Sequence, residues 1–145
     1  MRKLRMLALL VVVAHWAVAV LHLFFAAEVL PAPNNKISWL AVSLITLGHV
    51  VVSVALWKLS ERLAGFISLI FFLAALGADL YEHFLHASAN NIFTVAPGDW
   101  AAWFNASVFI LLALEILGCS LGILLLGRRT TNDHQPQSEN HSVLS

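Results

Sequence analysis

The sequence predicts an all-α membrane protein, an up-and-down bundle of four transmembrane helices with both termini in the cytoplasm. Hydrophobic residues make up 60% of the 145 residues and charged residues only 11%. Together with a mean hydropathy of +0.84, this is far more apolar than a soluble domain. Four apolar stretches, 6–27, 37–57, 63–86 and 100–127, each reach the roughly 20 residues that a helix needs to cross the hydrocarbon core. Short connections between them require successive helices to run in opposite directions.

The first stretch imitates a secretory signal peptide, because three cations precede its apolar run. It stays apolar beyond any cleavage site, however, and it contains His15 and His22. We therefore expect a retained helix that ends before Pro31 and Pro33. The alternative is cleavage, which would leave three helices and remove both histidines.

The starts of the other helices carry capping signals. Ser38 can cap the second helix and Ser60 the third, while the Pro97-Gly98-Asp99 turn offers Asp99 as a cap for the fourth. The tail 128–145 is polar and is expected to be disordered in the cytoplasm, because it cannot bury enough apolar surface to fold.

The cations predict the orientation. Of the eight Lys and Arg residues, a four-span bundle places all but Lys36 on the side of the termini. Cytoplasmic loops carry such an excess of positive charge, so we expect a multi-pass protein of the bacterial inner membrane. The lipid bilayer is thus the first expected partner. Nucleic acid is not expected, because no basic arm is interleaved with aromatic residues.

Each helix has one stripe of small and polar residues, the kind that turns toward the interior of a membrane bundle. The stripes are Ala8, His15, Ala19, His22 and Ala26; Thr46, His49 and Ser53; Gly65, Ser68, Phe72, Ala75, Asp79, Glu82, His83 and His86; and Glu115, Gly118, Cys119 and Gly122. A helical rise of about 1.5 Å per residue separates the ionisable members into two layers. A middle layer holds His15, His49 and Glu115, and an outer layer holds His22, Asp79, Glu82 and His83.

The outer layer offers ligands for a divalent transition metal. Imidazole and carboxylate groups together suit zinc, copper, iron or manganese. The metal-ligand candidates are His22, Asp79, Glu82 and His83. The alternative is a hydrated, mutually paired cluster at the headgroup level, where ionisable residues carry a smaller penalty than at the bilayer centre.

The middle layer supports two interpretations. His15 and His49, opposed on antiparallel helices, are candidate axial ligands of a haem b. Alternatively, they are neutral histidines bonded to Thr46, Ser53 or Glu115. Glu115 is the deepest acid, and burial disfavours its charged form. It is therefore a candidate proton relay, or else a protonated residue that bonds across helices.

The spacing of Gly118 and Gly122 lets another helix approach closely. That helix is either a neighbour in the bundle or one from a second copy in a homodimer. Sequence patterns give no support for nucleophilic catalysis, since no Gly-x-Ser-x-Gly or His-Glu-x-x-His motif occurs. With Cys119 as the only cysteine, an intrachain disulfide is excluded.

These patterns favour a small membrane protein with an intramembrane histidine and carboxylate site, acting as a metal- or haem-binding module for redox or proton transfer. Two alternatives belong to other classes. One is a non-catalytic accessory or assembly subunit of a larger membrane complex, and the other is a small transporter. The sequence does not decide whether the protein is an enzyme.

Overall fold

A computed structural model describes residues 2–29 and 37–127, which are all-helical apart from short connections. The helices are α1 (Arg2–Val29), α2 (Trp39–Lys58), α3 (Glu61–Leu80) and α4 (Ala101–Leu126), and a π-helical turn, Tyr81–Leu85, continues α3. With that turn included in the third, all four are long and apolar enough to cross a membrane. The prediction of four such helices is confirmed. Pro31, Pro33 and the tail 128–145 lie outside the described residues.

The outside of the bundle is covered with large apolar side chains. Leu10, Leu44, Ile70 and Leu124 are 65%, 60%, 52% and 56% exposed. Soluble monomers rarely present such continuous apolar surface, whereas lipid-facing helices do. The four helices therefore suit a multi-pass membrane protein.

The helices form a ring in chain order. α1 packs on α2 and α4, and α3 packs on the same two helices; the α3–α4 contact is the most extensive, and α2 is held least closely. Arg5 near the start of α1 donates to the carbonyl oxygens of Leu56 (3.3 Å) and Leu59 (2.9 Å) at the end of α2. α1 and α2 are therefore antiparallel, as an up-and-down bundle requires.

Two of the three predicted caps are confirmed. The Ser38 hydroxyl accepts from the Ala41 amide at 3.3 Å, and the Ser60 hydroxyl accepts from the Leu63 amide at 3.4 Å. The prediction for Asp99 is wrong, because the cap position of α4 is Trp100, whose side chain makes no capping bond. The turn after Gly98 delays the start of α4 by one residue, since the Ala101 amide still bonds to the Gly98 carbonyl at 3.2 Å.

One half of the bundle, at the end that holds the start of α1, is packed solidly with apolar side chains. We call it the closed half; its core includes Ala8, Val11, Val12, Val52, Leu56, Ala64, Phe72, Leu121 and Leu125. α3 and α4 touch through glycines there: a Cβ on Gly65 would lie 2.8 Å from the Gly122 carbonyl oxygen, and one on Gly118 would overlap the Phe72 ring. The Gly118 and Gly122 face is therefore occupied by α3.

At the opposite end, the π-helical turn changes the course of α3. An uninterrupted α-helix would carry Asp79, Glu82, His83 and His86 on one face. Instead His86 leaves the helix with an extended backbone, and its ring stacks on Tyr81 at a centroid distance of 5.4 Å. His83 remains buried at 5% exposure. The predicted row of four thus ends at His83, with His86 on the outer rim.

Candidate functional site

Three side chains of the predicted middle layer meet in the centre of the bundle. His15 Nδ1 lies 2.7 Å from His49 Nε2, and His15 Nε2 lies 3.2 Å from Glu115 Oε1. They come from α1, α2 and α4, and their exposed fractions are 4%, 5% and 0%. The structure therefore joins three helices through one buried hydrogen-bonded chain.

The far end of this chain fixes where its protons lie. His49 Nδ1 is 2.6 Å from the carbonyl oxygen of Ile45, which can only accept, so Nδ1 carries a proton. If the His49 ring is neutral, its Nε2 accepts, and His15 Nδ1 must be the donor to it. If the His15 ring is neutral too, its Nε2 accepts from a protonated Glu115.

Moving protons along these two bonds gives a second arrangement with the same partners. Glu115 transfers its proton to His15 Nε2, and His15 Nδ1 passes its own proton to His49 Nε2. Glu115 is then a carboxylate and His49 an imidazolium. The two bonds of His15 are kept with donor and acceptor reversed, and His49 Nδ1 still donates to the Ile45 carbonyl. The chain can therefore shift one unit of charge between α4 and α2 without moving a heavy atom to a new partner.

Thr46 and Ser53, which the sequence offered as partners of the histidines, are not bonded to them. Thr46 instead accepts from the Trp16 indole at 3.0 Å on the exposed side of the bundle. The buried residues of α2 are His49, Val52, Ala55 and Leu56. Of the three predicted partners, only Glu115 reaches a histidine.

The predicted outer layer contains a second pair of buried histidines. Ser107 donates its hydroxyl proton to the Phe104 carbonyl at 2.7 Å, so its oxygen accepts from His22 Nδ1 at 2.9 Å. His83 Nδ1 donates to the Asn90 carbonyl at 2.8 Å. The two rings meet edge to face with centroids 4.9 Å apart. Both Nδ1 atoms are thus held by protein, and both Nε2 atoms are left for other partners.

The two acids of the outer layer have different surroundings. Asp79 is close enough to Glu115, His83 and His15 to interact with all three electrostatically. Glu82 turns toward His86, with 3.4 Å between Glu82 Oε2 and His86 Nδ1, and both side chains are nearly half exposed. Within 2–29 and 37–127, no group of three or more His, Cys, Asp or Glu residues is arranged to hold a metal ion.

A cavity of about 560 Å³ connects the two layers. It is lined by all seven predicted histidine and acid candidates: His15, His22, His49, Asp79, Glu82, His83 and Glu115. It also reaches Ile37, Ser38 and Asn90, which lie at the end of the bundle away from the closed half. We call this part of the bundle the open half.

Several residues of the site were missed by sequence reasoning. The Phe71 ring packs edge to face on His15 at 6.1 Å, beside Phe72 of the predicted interior stripe at 5.4 Å. Phe104 packs on His22 at 5.0 Å. Ser107 had a usable signal, because the spacing 107, 111, 115, 118 continues the buried stripe of Glu115 along α4. Asn90 had none, since its carbonyl reaches His83 only through the fold of the connection after the π-helical turn.

Comparison of the chain with protein-family models, with curated proteins and with solved structures gives no significant match.

Proposed function

We propose that this chain is a multi-pass membrane protein that transfers protons between a buried carboxyl group and one face of the membrane. The observation that carries the proposal is the position of His15, which bonds to His49 on one side and to Glu115 on the other. Ionisable groups in a membrane interior are costly, and connected ones suit proton relays.

In the described residues, the hydrogen-bonded chain is reached through the open half. The cavity leads from Glu115 and His15 past the His22 and His83 rings to Ser38 and Asn90. Beyond the chain, in the other direction, lies the apolar core of the closed half. Protons therefore enter and leave from the open half, and we expect no passive proton flux across the protein.

The distribution of cations supports an orientation. With seven of the eight Lys and Arg residues on the side of the termini, that side is cytoplasmic by the positive-inside rule. The cavity would then open to the outer face of a bacterial inner membrane.

The geometry favours proton transfer over ligation of haem by His15 and His49. A metal–imidazole bond is about 2 Å long, so nitrogens on opposite sides of one metal lie about 4 Å apart. The facing nitrogens of His15 and His49 are 2.7 Å apart and bonded to each other. Haem binding by this pair, and metal binding by His22, Asp79, Glu82 and His83, stay predictions. An absorption spectrum and elemental analysis of freshly purified protein test both.

Infrared difference spectroscopy tests the proton-transfer proposal. Between acidic and alkaline buffer, the protein in nanodiscs should lose the carbonyl stretch of a protonated carboxyl group in a dry environment. Asp79, the neighbouring carboxyl group in the cavity, can contribute to the same band. Glu115→Gln should remove the Glu115 part of the band, and His15→Phe should shift the pH at which that part disappears. Glu61→Gln is the matched control, because Glu61 lies at the other end of the bundle beside Arg5 at 3.8 Å.

Two results would contradict the proposal. One is a set of titrating carboxyl bands that Glu115→Gln leaves unchanged, and the other is a Glu115 band that is unaffected by His15→Phe. The alternatives have their own tests: a stoichiometric partner that co-purifies supports an accessory subunit, and solute flux into liposomes supports a transporter.

A further inference from the structure

The inner end of the cavity presents a buried oxygen without a protein partner. Glu115 Oε1 faces His15 at 3.2 Å, but no donor among the described residues is placed to bond to Glu115 Oε2, and the side chain is fully buried. The Asp79 carboxyl group is close to Glu115, but it supplies a donor only when it is itself protonated. Buried polar atoms are normally satisfied. Because Glu115 lines the cavity, a molecule in the cavity can supply the missing donor.

The charges around the cavity favour a cation as that molecule. Glu115, Asp79 and Glu82 line it, and the described lining contains no lysine or arginine. The imidazoles that line the cavity with Glu115 can be neutral. The net charge of the lining is then zero or negative, depending on how many of the acids are ionised. A buried carboxylate is stabilised when a cation lies beside it.

The remaining walls fit a compact apolar body. The cavity has room for this body because small side chains of α1 and α3 line it: Ala19, Ala26, Ala27, Ala75 and Ala78. Phe71 adds an aromatic ring, which can attract a cation through its face. The volume of about 560 Å³ falls within the roughly 300–1,000 Å³ range of small-molecule sites. A bare metal ion is a poorer fit, since the described residues hold no cluster of three metal-ligating groups.

We infer that the cavity binds an organic cation, a protonated amine on a compact apolar body, whose ammonium group takes the place of the proton on Glu115. This deepens the proposed function and rests on it, because the displaced proton leaves through the cavity. The exchange is balanced: the ammonium keeps its protons, the Glu115 O–H bond breaks, and one proton passes to water at the open end.

Several other titratable groups line the cavity or lie near Glu115. They are His15 and His22 on α1, His49 on α2, Asp79, Glu82 and His83 on α3 and its π-helical turn, and Cys119 one turn along α4. Asp79 is the second expected contact of the ammonium group, because it is the acid that interacts directly with Glu115.

Calorimetry with two matched probes tests the inference. Phenethylammonium carries the charge, and phenethyl alcohol has nearly the same shape without it. We expect the protein in zwitterionic nanodiscs to bind the amine at least roughly tenfold more tightly than the alcohol. In weakly buffered solution near neutral pH, a pH-sensitive dye should report about one proton released per amine bound.

Variants identify the residues responsible for the preference for the amine and for the proton release. Glu115→Gln should abolish both the preference for the amine and the proton release, and Glu61→Gln, in the closed half, should change neither. Asp79→Asn should weaken amine binding while proton release per bound amine is kept, which provides a test if Glu115→Gln does not fold. Empty nanodiscs correct for partition of the amine into lipid.

Three outcomes would overturn the inference: equal or tighter binding of the alcohol, which would indicate a neutral ligand; amine binding that is unchanged in both variants; or binding without proton release. The infrared titration is performed without any probe, so the two proposals fail separately. A Glu115 band that titrates in a protein that does not bind the amine leaves proton transfer standing and removes the cation site.

Discussion

The closed and open halves of the bundle use small interior residues in opposite ways. In the closed half, Gly65 and Gly122 bring the backbones of α3 and α4 into contact. In the open half, Ala19, Ala75 and Ala78 face a cavity. The same pattern of small residues therefore leads to close packing where two helices touch, and to empty volume where α2 is held loosely. Small residues identify the interior, but they do not say whether it is filled.

The largest expected effect comes from placing the same polar group in each half. Val12→Asn puts an amide into the closed half, where Val12 is 1% exposed, and should lower the free energy of unfolding by about 3 kcal/mol because the amide finds no partner. Ala75→Asn puts it at the cavity wall and should change stability by only about 0.5 kcal/mol. Unfolding in mixed detergent micelles measures both, and equal losses would contradict a difference between the halves.

An intermediate effect is expected from adding one methyl group to a glycine. A Cβ at position 65 would lie 2.8 Å from a backbone oxygen of α4. A backbone atom cannot avoid this contact by changing rotamer, as the end of a side chain could. Gly65→Ala should therefore cost about 2 kcal/mol through overpacking. Gly77 is the matched control on the same helix, since a Cβ there meets nothing within 4 Å. Gly77→Ala should be neutral or slightly stabilising because alanine favours helix. A stable Gly65→Ala variant would show that α3 and α4 do not touch there.

The smallest effect is expected at the surface of the closed half. Arg5→Ala removes the guanidinium bonds to the carbonyl oxygens of Leu56 and Leu59 and should cost about 1 kcal/mol. Arg62→Ala is the control, because Arg62 is an exposed cation at the same end. Thermal unfolding in detergent should separate the two variants. If they melt together, the bond between α1 and the end of α2 contributes no stability.

Much of the fold and part of the site could be predicted from the sequence, for physical reasons. Hydropathy fixes helix number and length, because a span must cover the hydrocarbon thickness. A constant rise per residue also places His15, His49 and Glu115 at one level, and the structure brings them together.

The rest depends on tertiary contacts that have no local signal. The rotation of α2 that turns Thr46 toward Trp16 follows from packing against α1. The π-helical turn that removes His86 from the interior depends on how the chain after it folds back, with the Ile92 amide bonded to the His83 carbonyl at 3.0 Å. A periodic pattern assumes an uninterrupted α-helix and does not give the exact rotation of that helix about its axis. It therefore cannot predict the π-helical turn or the orientation of Thr46.

The position of the cavity in the open half has an electrical consequence for the proposed function. In a polarised membrane, moving a unit charge across the full bilayer costs or yields about 2.3 kcal/mol per 100 mV. Glu115 lies near the middle of α4, so a proton that arrives from the open end crosses roughly half of that field. Under the proposed function, occupancy of the carboxyl group would therefore follow the transmembrane voltage as well as the acidity at the open end, so the protein would respond to both components of the proton-motive force.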